Sequence, residues 1–208
     1  MGLAVSVGVL SGMNDEEGRE SLLQDFERIN RALAAEGLPL HREPASVPKL
    51  LHRNDLVSFP YRWLHCLRRA VAFARQAPEE FCPLAEGEDV ASDPRIDTEL
   101  FVRMDSHLIC HSDCEGLYVP IDFSISLYDD ELPGGCVGSS QRALAEVLLA
   151  APLLSIPLVG GKLADEVAGE IAQAADGSHP YWIERQVWLT MYESFRHSIE
   201  HKCAVVFT

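Results

Sequence analysis

Leu117, Val119, Ile121, Phe123, Ile125 and Leu127 alternate with Tyr118, Pro120, Asp122, Ser124, Ser126 and Tyr128. Only an extended chain sets successive side chains on opposite faces with a period of two, so this run commits the protein to a sheet with a buried face. Leu100 to His111 also reads as a strand, and Ser112 to Gly116 between the two runs is a five-residue turn with a glycine available for positive φ. A hairpin over about 100–127 is therefore expected. Pro120 has no amide to give to a ladder, which points to an edge position or a bulge.

The rest of the chain mixes both periods. Leu3, Val5, Val7 and Val9 alternate as in a strand. Asn14-Asp15-Glu16-Glu17 then opens a helix in which Leu22, Phe26, Ile29 and Leu33 recur at helical spacing, closed by Gly37 and Pro39. A second helix starts near Ser58-Pro60, carries Leu64, Leu67, Val71 and Ala74 on one face, and stops before Pro78. About 76–98 is acidic, holds three prolines and reads as a long surface loop. Ser139 or Ser140 caps a helix with Leu144, Val147 and Leu148; a short helix carries Leu163, Val167 and Ile171. A C-terminal helix covers about 180–201, and Ala204 to Phe207 forms a last strand. Local elements of both types sharing one core imply an α+β fold: a single mixed, largely antiparallel sheet flanked by about five helices, one domain over 1–208.

Charge narrows the function classes. The chain has 208 residues and a formal net charge of −15, which opposes binding to nucleic acid, since that depends on neutralising phosphates with Lys and Arg. The charge is unevenly spread. Arg42, Lys49, Arg53, Arg62, Arg68, Arg69 and Arg75 face only Glu43 and Asp55 in their segment, a net of +5. From Glu79 to Glu131, fifteen acids face Arg95 and Arg103, a net of −13. Such asymmetry means either internal pairing of the two segments or an acidic face offered to a basic partner. The apolar opening lacks a basic leader region, and Ala143 to Val159 is interrupted by Glu146, Pro152, Ser155 and Pro157, short of the ~20 apolar residues of a membrane span. A soluble cytoplasmic protein with reduced cysteines is expected, with no membrane partner.

Three groups of side chains have the types that do chemistry. His107, Cys110, His111, Asp113, Cys114 and Glu115 crowd nine residues, but strand geometry separates Cys110 from the two histidines and the spacing is not a recurring zinc pattern. If Leu117 and Val119 face the core, the other face presents His107, His111, Asp113, Glu115, Tyr118 and Asp122 as a polar binding patch. His197-Ser198-Ile199-Glu200-His201 matches the H-x-x-E-H arrangement of the inverzincin metallopeptidases over five residues. On a helix both imidazoles lie on one face, and Glu193, one turn back, extends it as a candidate ligand. Too few residues follow His201 for the downstream ligand of those enzymes, and cationic histidines also suit a helix C-terminus. Cys114 beside His111 and Asp113, and Cys66 beside His65, have nucleophile-type neighbours, but acids around Cys114 disfavour a thiolate and Cys66 lies on a helix core face.

No phosphate loop, dinucleotide fingerprint or nucleophile elbow occurs in the sequence. The expectation is a non-catalytic protein-binding protein of bacterial immunity or antitoxin type, without a cofactor, presenting an acidic face to a basic protein partner. The rival is a metal-dependent hydrolase using His197, Glu200 and His201 or the His107/His111 cluster.

Overall fold

The computed structural model describes residues 2–85, 87–174 and 176–208. In chain order the main elements of the first half are β1 (Gly2–Val7), α1 (Glu16–Ala35), β2 (Ser58–Pro60), α2 (Tyr61–Gln76) and α3 (Pro94–Thr98). The second half holds β3 (Gly116–Val119), β4 (Leu127–Tyr128), β5 (Cys136–Ser139), α4 (Ser140–Ala150), β6 (Leu158–Val159), β7 (Lys162–Leu163), α5 (Asp165–Ala172), α6 (Trp182–His201) and β8 (Val205–Phe207). The fold is α+β: a mixed six-stranded sheet in the order β2-β1-β8-β3-β5-β4 and a small ribbon of β6 and β7. Within the main sheet only β3 and β5 run parallel.

Both faces of the sheet are covered, and the two-residue period divides the side chains between them. Leu117, Val119, Val137 and Val206 pack with Phe26, Ile29 and Leu33 of α1. Tyr118, Val205 and Phe207 point the other way, into a larger core with Leu64 and Leu67 of α2, Val147 of α4 and Trp188 and Phe195 of α6. Gly138 lies beside the Tyr118 ring, where a Cβ would collide with it. Local signals set the helix ends. Ser139 Oγ accepts the Arg142 amide as the α4 cap, Glu16 and Glu17 occupy the first turn of α1, and Gly37 takes φ +68° just past its end.

The expected hairpin over 100–127 does not form. β3 ends at Val119, before the donorless Pro120, and sits between β8 and β5 and not at an edge. The later half of the alternating run contributes only β4, paired with β5. Leu100 to His111 is not a strand either. α3 runs into a π-helical turn over Glu99–Arg103, closed by Met104 at φ +56°, and turns follow. The expected loop over 76–98 thus holds α3 and short 3-10 turns at Pro78–Glu80 and Val90–Ser92.

Buried charged side chains explain why this segment needs no ladder. Glu146 of α4 accepts the amides of His107 (2.7 Å) and Leu108 (3.1 Å) and the Ser106 hydroxyl (2.6 Å). Arg68 of α2, buried, donates to the carbonyls of Leu108 (2.9 Å), His111 (2.6 Å) and Ser112 (3.2 Å). Backbone groups that a strand would pair are satisfied by one carboxylate and one guanidinium. Replacing Arg68 with Met strips three carbonyls of their donor and costs roughly 3–5 kcal/mol of folding stability, read by urea unfolding. Arg68→Lys restores little of it, because a point charge cannot span three acceptors. A loss below about 1 kcal/mol for both variants would contradict this account.

Candidate functional site

The sequence-predicted polar patch comes apart in the fold. β3 is a central strand buried on both faces, so His107, His111 and Tyr118 lie inside and not on a solvent face. His107 Nδ1 accepts the Ser139 amide at 3.0 Å, and burial holds its pKa down to about 4. His111 stacks on Tyr118 with ring centroids 4.0 Å apart, and its two ring nitrogens lie 3.0 Å from the carbonyls of Ser112 and Leu117. Those carbonyls favour the protonated ring, yet burial outweighs them and its pKa is also about 4. Burial pushes the Tyr118 phenol well above its ordinary value.

The three carboxylates of that patch are on the outside. Asp113 is 2.9 Å from His65, Glu115 accepts the Gly134 amide at 3.2 Å, and Asp122 pairs with Arg142 at 2.6 Å. Glu115 belongs to a larger acidic surface. Asp25 of α1, Glu115, Asp130 and Glu131 line one open groove with Arg28 and Arg31. Burial raises the Asp25 carboxyl; Arg28 opposes the rise and the Glu115 charge adds to it. Glu16, Glu17, Glu20 and Glu27 are exposed on the outer side of α1.

Cations are largely turned inward or occupied. Arg69 pairs with Asp93 (2.9 Å), Arg75 with Glu99 (3.0 Å) and Asp105, and Arg53 with Glu193 (2.6 Å) and Asp165 (2.9 Å). Arg95 pairs with Glu80, and Arg185 donates to the carbonyls of Leu154 and Ser155. Among the described residues only Arg42, Lys49, Lys162 and Lys202 make no side-chain ion pair or hydrogen bond. The basic segment thus does pair with part of the acidic one, through Arg69, Arg75 and His65. What remains facing water is a surplus of carboxylate, including Glu79, Glu88, Asp97, Glu115, Asp129 and Asp130.

The H-x-x-E-H group does converge. His197, Glu200 and His201 each offer a ligand atom, all within 4.8 Å of one another. Glu193 is spoken for: it is buried and accepts from Arg53 and Arg196, at 2.6 and 3.0 Å. Burial works to raise its carboxyl, and those two guanidiniums overcome it and hold it low. The cysteines are all free; burial pushes Cys66 and Cys203 up to about 12, so neither is a thiolate near neutrality. No described helix is long and apolar enough to cross a membrane.

The family described as "Putative DNA-mimic protein" matches residues 1–207. The chain belongs to this family. No curated protein and no solved structure matches it. Membership in the DNA-mimic family overturns two expectations. The immunity or antitoxin reading, with an unspecified basic protein as partner, gives way to a DNA-binding protein as the implied partner. The metal-dependent hydrolase gives way as well, since mimicry of DNA requires no catalytic set. The net charge that argued against contact with nucleic acid is the property a mimic of nucleic acid needs. In the sequence Glu16 and Glu17 mark only a helix opening, and the meeting of Asp25 with Glu115 and Asp130 in one groove depends on tertiary structure.

His107, His111 and His197 all have folded pKa values of about 4, below the ~6.5 of a free imidazole. Unfolding therefore takes up protons between those values, so their contribution to stability is complete above pH ~6.5 and is lost as pH falls toward 4. NMR titration of the ring protons should give midpoints near 4 for these three. Midpoints near 6.5 in the folded protein would contradict their buried, neutral state.

Proposed function

We propose that this protein occupies the DNA-binding surface of a DNA-binding protein, with the α1 side of the sheet standing in for the phosphate backbone. The observation that carries the reading is the partition of charge: arginines paired or buried within the fold, carboxylates left on the outside. Duplex DNA offers one negative charge per ~1.7 Å of axis, at ~3.4 Å per step on each strand. Along α1, Glu16, Glu20 and Glu27 are separated by about 6 and about 10 Å of helix rise, roughly two and three base steps. Asp25, on the flank of α1 away from Glu16, Glu20 and Glu27, lines a groove with Glu115, Asp130 and Glu131, a second group of charge. Cations on a DNA-binding surface, arranged to grip phosphates, would find carboxylates at comparable intervals. Electrostatic complementarity of this kind speeds encounter and fixes orientation.

Proteins retained on DNA–cellulose provide the test. The protein should release a defined subset of them, and added duplex DNA should compete for that subset. The triple variant Glu20→Lys, Glu27→Lys, Asp130→Lys should release them about 3- to 150-fold less well, from three exposed pairs at about 0.2–1 kcal/mol each. Glu166→Lys with Glu170→Lys, on α5 at the other side of the sheet, should behave as the unaltered protein. Release of nothing, or equal release by the triple variant, would overturn the reading.

A further inference from the structure

The H-x-x-E-H group at the end of α6 is left without a role by DNA mimicry, and no hydrolytic chemistry attaches to it. We propose that His197, Glu200 and His201 form a non-catalytic binding site for a zinc-class divalent ion at the end of α6.

Several observations converge on this site. His197 and His201, four apart on α6, stack with ring centroids 5.8 Å apart, and Glu200 lies on the same side. Ligand atoms within 4.8 Å of one another need only small side-chain rotations to reach a common ion at ~2.0–2.2 Å. Two imidazoles and one carboxylate suit zinc and its neighbours, and not the all-oxygen preference of magnesium or calcium. His52 packs against His197, ring centroids 4.6 Å apart, without joining the converging group. His197 Nδ1 is buried and has no hydrogen-bond partner, an unspent donor or acceptor of the kind that calls for explanation.

The surroundings are compatible with a bound cation. Arg196 donates to Glu200 at 2.9 Å and to Glu193 at 3.0 Å. It holds the Glu200 carboxylate through one oxygen, Oε2, and leaves the other for a metal, as carboxylate-orienting partners do around known sites. Buried Glu193 offsets the Arg196 charge, and its Oε2 lies 3.6 Å from His197 Nε2. Arg196 Nη2 lies 3.0 Å and the Leu51 carbonyl 3.3 Å from His197 Nε2, so the nitrogen left for a metal is the partnerless Nδ1.

Zinc titration of untagged, EDTA-stripped full-length protein, followed against a chromogenic chelator, tests the site. One equivalent should bind at micromolar affinity or better, and His201→Ala and Glu200→Gln should each weaken it by about 10–100-fold. Both positions are partly or fully exposed, so the variants are expected to fold; circular dichroism checks that. His179→Ala, outside the group, should bind as the unaltered protein. Binding that is unchanged in His201→Ala, or spread over several weak equivalents on surface carboxylates, would overturn the proposal. The site is independent of DNA mimicry, since the titration involves no partner protein.

Discussion

The inward turn of the α2 arginines is the constraint on which the rest of the structure depends. Arg68 spans three carbonyls of the 108–112 segment, Arg69 reaches Asp93, and Arg75 reaches Glu99. A buried guanidinium is tolerated only when fully engaged, so these contacts fix the path of the chain from α3 to β3. Glu146 of α4 completes the arrangement from the opposite side by taking the amides of His107 and Leu108. The same contacts decide the electrostatics. Cations committed to internal groups cannot screen the exposed acids, and a chain of net charge −15 then shows water and partners an acidic surface.

Helices and the core strands were legible because their periods are local. α1, α2 and α4 follow apolar spacings read from Phe26-Ile29-Leu33, Leu64-Leu67-Val71 and Leu144-Val147-Leu148, and α6 lies within the expected helix over about 180–201. The failures cluster at 100–127. There the sequence offers apolar residues at strand-like intervals, but a carboxylate some forty residues away and an arginine some forty residues earlier supply the hydrogen bonds instead. No local pattern announces such partners. Pro120 carried the right warning about a broken ladder, though it ended a central strand and did not mark an edge.

The misreading of the binding patch has one physical source. Alternation predicts one wet face, whereas helices cover both faces of β3, and Tyr118 and His111 are a stacked pair in the core. The carboxylates named with them, Asp113, Glu115 and Asp122, are at the surface because no such packing was available to charge. The H-x-x-E-H spacing was legible and its convergence is real, but its third member is Glu200, since Arg53 and Arg196 claim Glu193.

Mimicry makes a demand that simple affinity does not: the protein and DNA must compete for one surface. Sedimentation of a captured DNA-binding partner with its duplex and this protein together measures that directly. The account predicts two mutually exclusive complexes, with this protein displacing the duplex in proportion to its concentration. A ternary complex holding partner, duplex and this protein at once would contradict it.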